Sequence, residues 1–262
     1  MKLYKLALLC GALLLVLAAC GCNRLKARDH LNKGVQAYRN AQFLPAIMHF
    51  KEAVRLDPNL LNARLYLATA YYAQYVPSGE SPENKKIAQD ALDAFNDVLQ
   101  REPGNTTAIS FIGQIHYGLK DFDKAKEDNQ KLLKLEPQNP EPYYWIGMLD
   151  WLICYPRAQT VRNEHNLTQP NKDGVLPVIP AKFRKDLAEE NGPLIDEGLK
   201  YLQKAIELKP NDNQAMAYLN LMYRQKAEID EDDDTREADL KTADNWVNKS
   251  LAALKAAGGA TP

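Results

Sequence analysis

The chain has 262 residues, of which 45% are hydrophobic, enough to bury a sizeable core in one extended domain or two compact ones. Its 33 basic residues nearly cancel its 34 acidic ones, which excludes the broad basic excess of a nucleic-acid-binding surface. Partners and chemistry must be argued from local sites.

The first element is apolar. Lys2 and Lys5 precede an uncharged run from Leu6 to Ala19, too short for a comfortable permanent span, so residues 1–19 read as an export signal. The run ends in Leu17-Ala18-Ala19-Cys20, which resembles the lipobox of bacterial lipoproteins. That resemblance implies cleavage before Cys20, acylation of its thiol, and a short lipidated tether over 20–26. Each buried methylene contributes roughly 0.8 kcal/mol, so several acyl chains hold a protein on a membrane where one does not. Gly21 after the cysteine implies an outer-membrane address facing the periplasm. Cys10 lies inside the run and Cys22 is two residues late, leaving Cys20 as the acceptor. Cys154 reads as a small buried apolar residue, and a Cys22–Cys154 bridge would tie the tether to the middle of the chain.

Beyond the tether, similar apolar helices end before Pro58, Pro103, Pro137 and Pro210. Proline cannot continue the backbone ladder and turns its predecessor away from helix, so it marks a fixed point in a repeating unit. Pro103 and Pro137 stand 34 residues apart, the period of a helix–turn–helix repeat. The longer intervals, 45 and 73, fit the same unit with insertions. Within the units small residues recur where two helices would approach most closely: Gly34 with Ala46, Gly113 with Ala125, Gly147 and then Gly198 with Ala205. Phe50, Phe95, Leu132 and Leu202 supply the large apolar positions a turn or so away.

On these positions the chain resembles the tetratricopeptide repeat family over residues 27–255. The resemblance implies an all-α fold, a right-handed α–α superhelix of about five helical hairpins, because one hairpin cannot bury its own apolar face. Insertions are expected near 76–86, 154–193 and 228–236, with a flexible tail over 256–262. The second of these carries Pro156, Pro170, Pro177, Pro180 and Pro193 and cannot be a single helix. Its Val175–Pro180 segment is too apolar to float free and should pack on the repeats or meet a partner. The acidic run Glu228–Asp239 invites a calcium reading, but a loop starting at Asp230 would need glycine and glutamate where Thr235 and Lys241 stand. Residues 234–237 are instead suited to the start of the last helix.

No catalytic centre, metal site or cofactor is expected. His30, His49, His116 and His165 are dispersed, without zinc-protease or zinc-finger spacing, and no phosphate loop or nucleophile elbow is present. Cys154 and His165 could be cast as thiol and base, but no thiol-enzyme signature surrounds them. Binding offers more. The resemblance implies that first helices line a concave groove, where Tyr38, Tyr72, Tyr117, Trp151 and Arg224 share one repeat position and Tyr144 and Met148 stand beside Trp151. Aromatics with a polar tip suit a peptide or extended segment, although they could equally be wedged between helices. Leu31 and Val35 replace the charged pattern with which chaperone-binding members clamp a terminal carboxylate. The expectation is a membrane-anchored scaffold lipoprotein of the cell envelope that binds a protein partner and no nucleic acid. An enzyme or ligand carrier with a pocket made by 154–193 is the alternative.

Overall fold

The fold was obtained as a computed structural model, which describes residues 22–172 and 176–258. The apolar run, Cys20, Val175 and the last four residues lie outside that range, and with them the export signal and the lipidation site. Among the described residues no helix is long and apolar enough to cross a membrane.

The described residues form helices and turns throughout. Helix α1 covers residues 22–39, followed by α2 (Phe43–Leu56), α3 (Leu61–Tyr72), α4 (Pro82–Arg101) and α5 (Thr106–Gly118). Then come α6 (Phe122–Leu135), α7 (Pro140–Glu164), α8 (Ala181–Leu208), α9 (Asn213–Ile229) and α10 (Asp233–Ala256). In chain order these are five helix–turn–helix units. Each of the four register prolines stands two residues beyond its helix: Pro58 after α2, Pro103 after α4, Pro137 after α6 and Pro210 after α8. Soon afterwards a short polar side chain restarts the helix in three of the four cases. Asn105 accepts from the Ala108 amide, Asn139 from Glu141, and Asp212 from Gln214 and Ala215, each satisfying donors that a helix start leaves open.

The chain divides into two compact units, one ending at Asp121 and one beginning at Phe122. In the first, α1, α2 and α3 enclose Ala46, Ile47, Phe50 and Ala70. A Cβ on Gly34 would lie 2.5 Å from the Phe50 ring, so only glycine lets α1 approach α2 this closely. Helices α3, α4 and α5 enclose Phe95, Val98, Ile112 and Ile115, with Phe95 stacked on Phe111 at 5.1 Å. The 76–81 stretch before α4 is held by Asn84, a buried residue of that helix. Its amide accepts from the Val76 N–H at 2.8 Å and donates to the Val76 and Gly79 carbonyls at 2.8 Å each.

In the second unit α7 packs against α6, α8 and α9, and α9 against α8 and α10. The core holds Cys154, Ile195, Leu202, Leu219 and Met222. The proline-rich stretch after Cys154 is not one helix but the end of one and the start of the next. Helix α7 continues through Pro156 and α8 already contains Pro193, leaving only residues 165–180 as the connector. Side chains tie the two proline-containing stretches to each other: Asn191 donates to the Cys154 carbonyl at 3.1 Å, and Arg157 to the Glu190 carbonyl at 3.2 Å. A small second core of Ala158, Ile179 and Leu187 pins the connector, as its apolar composition requires, while Leu176 and Val178 remain exposed. Arg162 completes the attachment, donating to the Leu167 and Pro177 carbonyls at 3.0 and 2.9 Å and pairing with Glu228 at 2.5 Å.

Candidate binding surface

The chemistry considered for Cys154 and His165 does not assemble. They lie on α7 and at its end, eleven residues and so about 16 Å apart along the helix axis. The Cys154 thiol is buried against the Asn191 carbonyl at 3.9 Å, and burial pushes it up to about 12, so it stays protonated and poorly nucleophilic. His165 instead stacks on Phe183, with centroids 3.5 Å apart. The acidic run is equally well explained by helix structure. Only residues 230–232 lie between α9 and α10, where Asp232 accepts from the Thr235 amide at 2.8 Å and Asp233 and Asp234 occupy the first turn.

One charged network is buried in the second unit. Lys126 on α6 reaches Asp150 on α7 at 2.6 Å and Glu197 on α8 at 2.7 Å. Asp150 is fully buried, and desolvation pushes its carboxyl up to about 7 against the pull of Lys126. The Asp230 carboxyl is likewise raised to about 6, by burial and then by the charge of Asp239. Three helices meet on the Lys126 network, which makes it a structural tie. The arginines near the connector are similarly engaged. A cleft of about 450 Å³ is lined by Leu176, Val178, Arg162, Arg224 and Arg236, but Arg162 pairs with Glu228 and Arg224 with Asp244 at 2.6 Å.

The aromatic positions fall into three settings. In the first unit Tyr38 lies edge-on to Phe43 at 5.5 Å. Tyr72 packs 4.8 Å from Phe111 and donates from its hydroxyl to Gln114 at 3.0 Å, with burial raising the phenol. Tyr117 is half-buried on α5. In the second unit the spacing along α7 brings Tyr144, Met148 and Trp151 onto one face: the Tyr144 hydroxyl lies 3.5 Å from the Met148 sulfur. Tyr218 of α9 meets this face edge-on, 5.8 Å from Tyr144 and 5.7 Å from Trp151, and Tyr155 stacks on Trp151 at 4.9 Å. Tyr155 is exposed, whereas the Trp151 indole N–H is buried without an acceptor among the described residues. Arg224 does not join this face; Asn220 and Asp244 hold it over the cleft.

Tyr155 and Tyr218 extend the set named from the sequence. Tyr155 stands four residues after Trp151, a spacing visible only once α7 is continued past Cys154. Tyr218 requires the packing of α9 on α7. The histidines, dispersed in sequence, are not all apart in space: His30 and His49 bring their Nδ1 atoms within 3.2 Å.

Residues 107–139 match the family model described as tetratricopeptide repeat. The Hsp70-Hsp90 organizing protein 3 of Arabidopsis thaliana is 30% identical over 115 residues, 44% of this chain. The chain spans only 19% of that relative's length. Among solved structures, the MamA protein superposes with a TM-score of 0.59 at 14% identity, covering 90% of this chain and 98% of MamA. YrrB, a tetratricopeptide-repeat protein with an unusual peptide-binding site, superposes with a TM-score of 0.52 at 16% identity, covering 87% of this chain and 90% of YrrB. The proline register, the hairpin order and these likenesses agree: residues 107–139 are a tetratricopeptide repeat, in a chain with the fold of tetratricopeptide-repeat proteins.

Proposed function

We propose that this chain is a non-catalytic scaffold that holds an extended segment of a protein partner, and that the α7–α9 aromatic face is its principal contact. The observation that carries this reading is the cluster of Tyr144, Trp151, Tyr155 and Tyr218, half open to solvent. Stiff aromatic side chains lose little entropy on binding and offer large contact area with a polar tip. The peptide-binding site of YrrB and the similarity to an Hsp70-Hsp90 organizing protein support the same class of activity. The enzyme alternative loses its support, because Cys154 is an inert thiol remote from His165 and the arginines of the cleft are already paired.

The scaffold is exported and anchored in the cell envelope through lipid on Cys20, facing the periplasm from the outer membrane. The apolar run and the lipobox-like Leu17–Cys20 support this reading. Two experiments test the two parts separately. Trp151→Ala with Tyr155→Ala should abolish partner capture from crosslinked membranes while helicity is kept; undiminished capture would refute the assigned face. Cys20→Ser should remove acyl labelling and release the chain from membranes, and a labelled, membrane-bound variant would refute the anchor.

A further inference from the structure

His30 on α1 and His49 on α2 meet within the first unit, with Nδ1 3.2 Å from Nδ1, ring centroids 5.4 Å apart and planes tilted by 50°. Both residues are half-buried, so solvent reaches the pair. Two imidazole nitrogens face each other at this distance only if one proton lies between them. One ring then carries its proton on Nδ1 and keeps a bare Nε2, while the other accepts.

A metal ion can replace that shared proton. Two metal–nitrogen bonds of about 2.0 to 2.1 Å place their nitrogens about 2.9 Å apart at a right angle and about 3.3 Å apart at a tetrahedral angle, values that bracket the observed separation. The observed separation is therefore close to the bite of a chelating pair, and a small tilt of each ring turns both lone pairs toward one point. The proton balance also closes. The displaced proton moves through solvent to the bare Nε2 of the same ring, leaving two neutral imidazoles, the form that binds metal.

The geometry points to His30 and His49 as a two-imidazole site for a borderline divalent transition-metal ion, with copper(II) held most tightly and nickel(II) and zinc(II) less so. Among the described residues no group of three or more His, Cys, Asp or Glu is gathered for a metal, so the protein supplies two ligands here. Water or a donor from a partner completes the shell, and the ion ties α1 to α2.

The test uses the full chain with its accessible thiols alkylated, titrated with copper(II) and read by electron paramagnetic resonance. One ion per chain with nitrogen coupling from two imidazoles is expected. His30→Gln and His49→Gln should each weaken binding about tenfold or more, which corresponds to about 1.4 kcal/mol, with helicity unchanged. Zinc(II) should raise the melting temperature of the parent chain and not of either variant, since only a ligand of the folded state stabilises it. No copper uptake by the parent chain, or uptake by either variant as tight as the parent's, would overturn the assignment.

Discussion

The two compact units each contain an inserted stretch, and they secure it differently. In the first, the residues before α4 are held by the neutral amide of Asn84, which pairs with the Val76 backbone as another strand would. In the second, the connector between α7 and α8 is held by the guanidinium of Arg162, which needs Glu228 as a counter-charge. A short insertion can be satisfied by one local polar side chain. A long one brings its own apolar core, two proline-containing helix extensions and buried charge.

The largest expected effect lies in the buried Lys126 network of the second unit. The Asp150 carboxyl titrates near 7 in the folded chain and near 3.8 unfolded, so between those values the folded state holds a proton that the unfolded state has released. Its contribution therefore falls as pH rises from about 4 to about 7, by about 4 kcal/mol in all. Chemical unfolding of the second unit should show this decline in the parent chain relative to Asp150→Asn; parallel pH profiles would contradict it.

Next in size is Arg162→Ala, which leaves Glu228 and two connector carbonyls without their partner. It should cost the second unit about 3 kcal/mol and open residues 176–180 to proteolysis, leaving the first unit unchanged. Asn84→Ala is the matching cut in the first unit. Losing its backbone bonds should cost about 1 to 3 kcal/mol, and if it equals or exceeds Arg162→Ala the contrast between neutral and charged anchoring fails. The smallest effect is that of Tyr72→Phe, which removes only the bond to Gln114 and should cost about 1 kcal/mol by thermal unfolding.

Helix ends were the most legible feature of the sequence. Pro58, Pro103, Pro137 and Pro210 act through local backbone chemistry that no distant contact overrides. Pro156 and Pro193 are the same residue type with the opposite outcome: helix continues through both, in stretches of α7 and α8 that Asn191 and Arg157 tie to each other. Tyr144, Met148 and Trp151 could be placed on one face from spacing alone. Tyr155 and Tyr218 could not, since one depends on continuing α7 through a proline and the other on how α9 lies against it. The His30–His49 contact depends in the same way on how α1 folds back onto α2.

The central claim is that the α7–α9 aromatic face holds the partner. A photo-crosslinking residue at position 155, compared with one at exposed position 86 on α4, tests it most directly. The account predicts a discrete protein adduct from position 155 that disappears with Trp151→Ala. Equal labelling from both positions, or an adduct indifferent to Trp151→Ala, would contradict it.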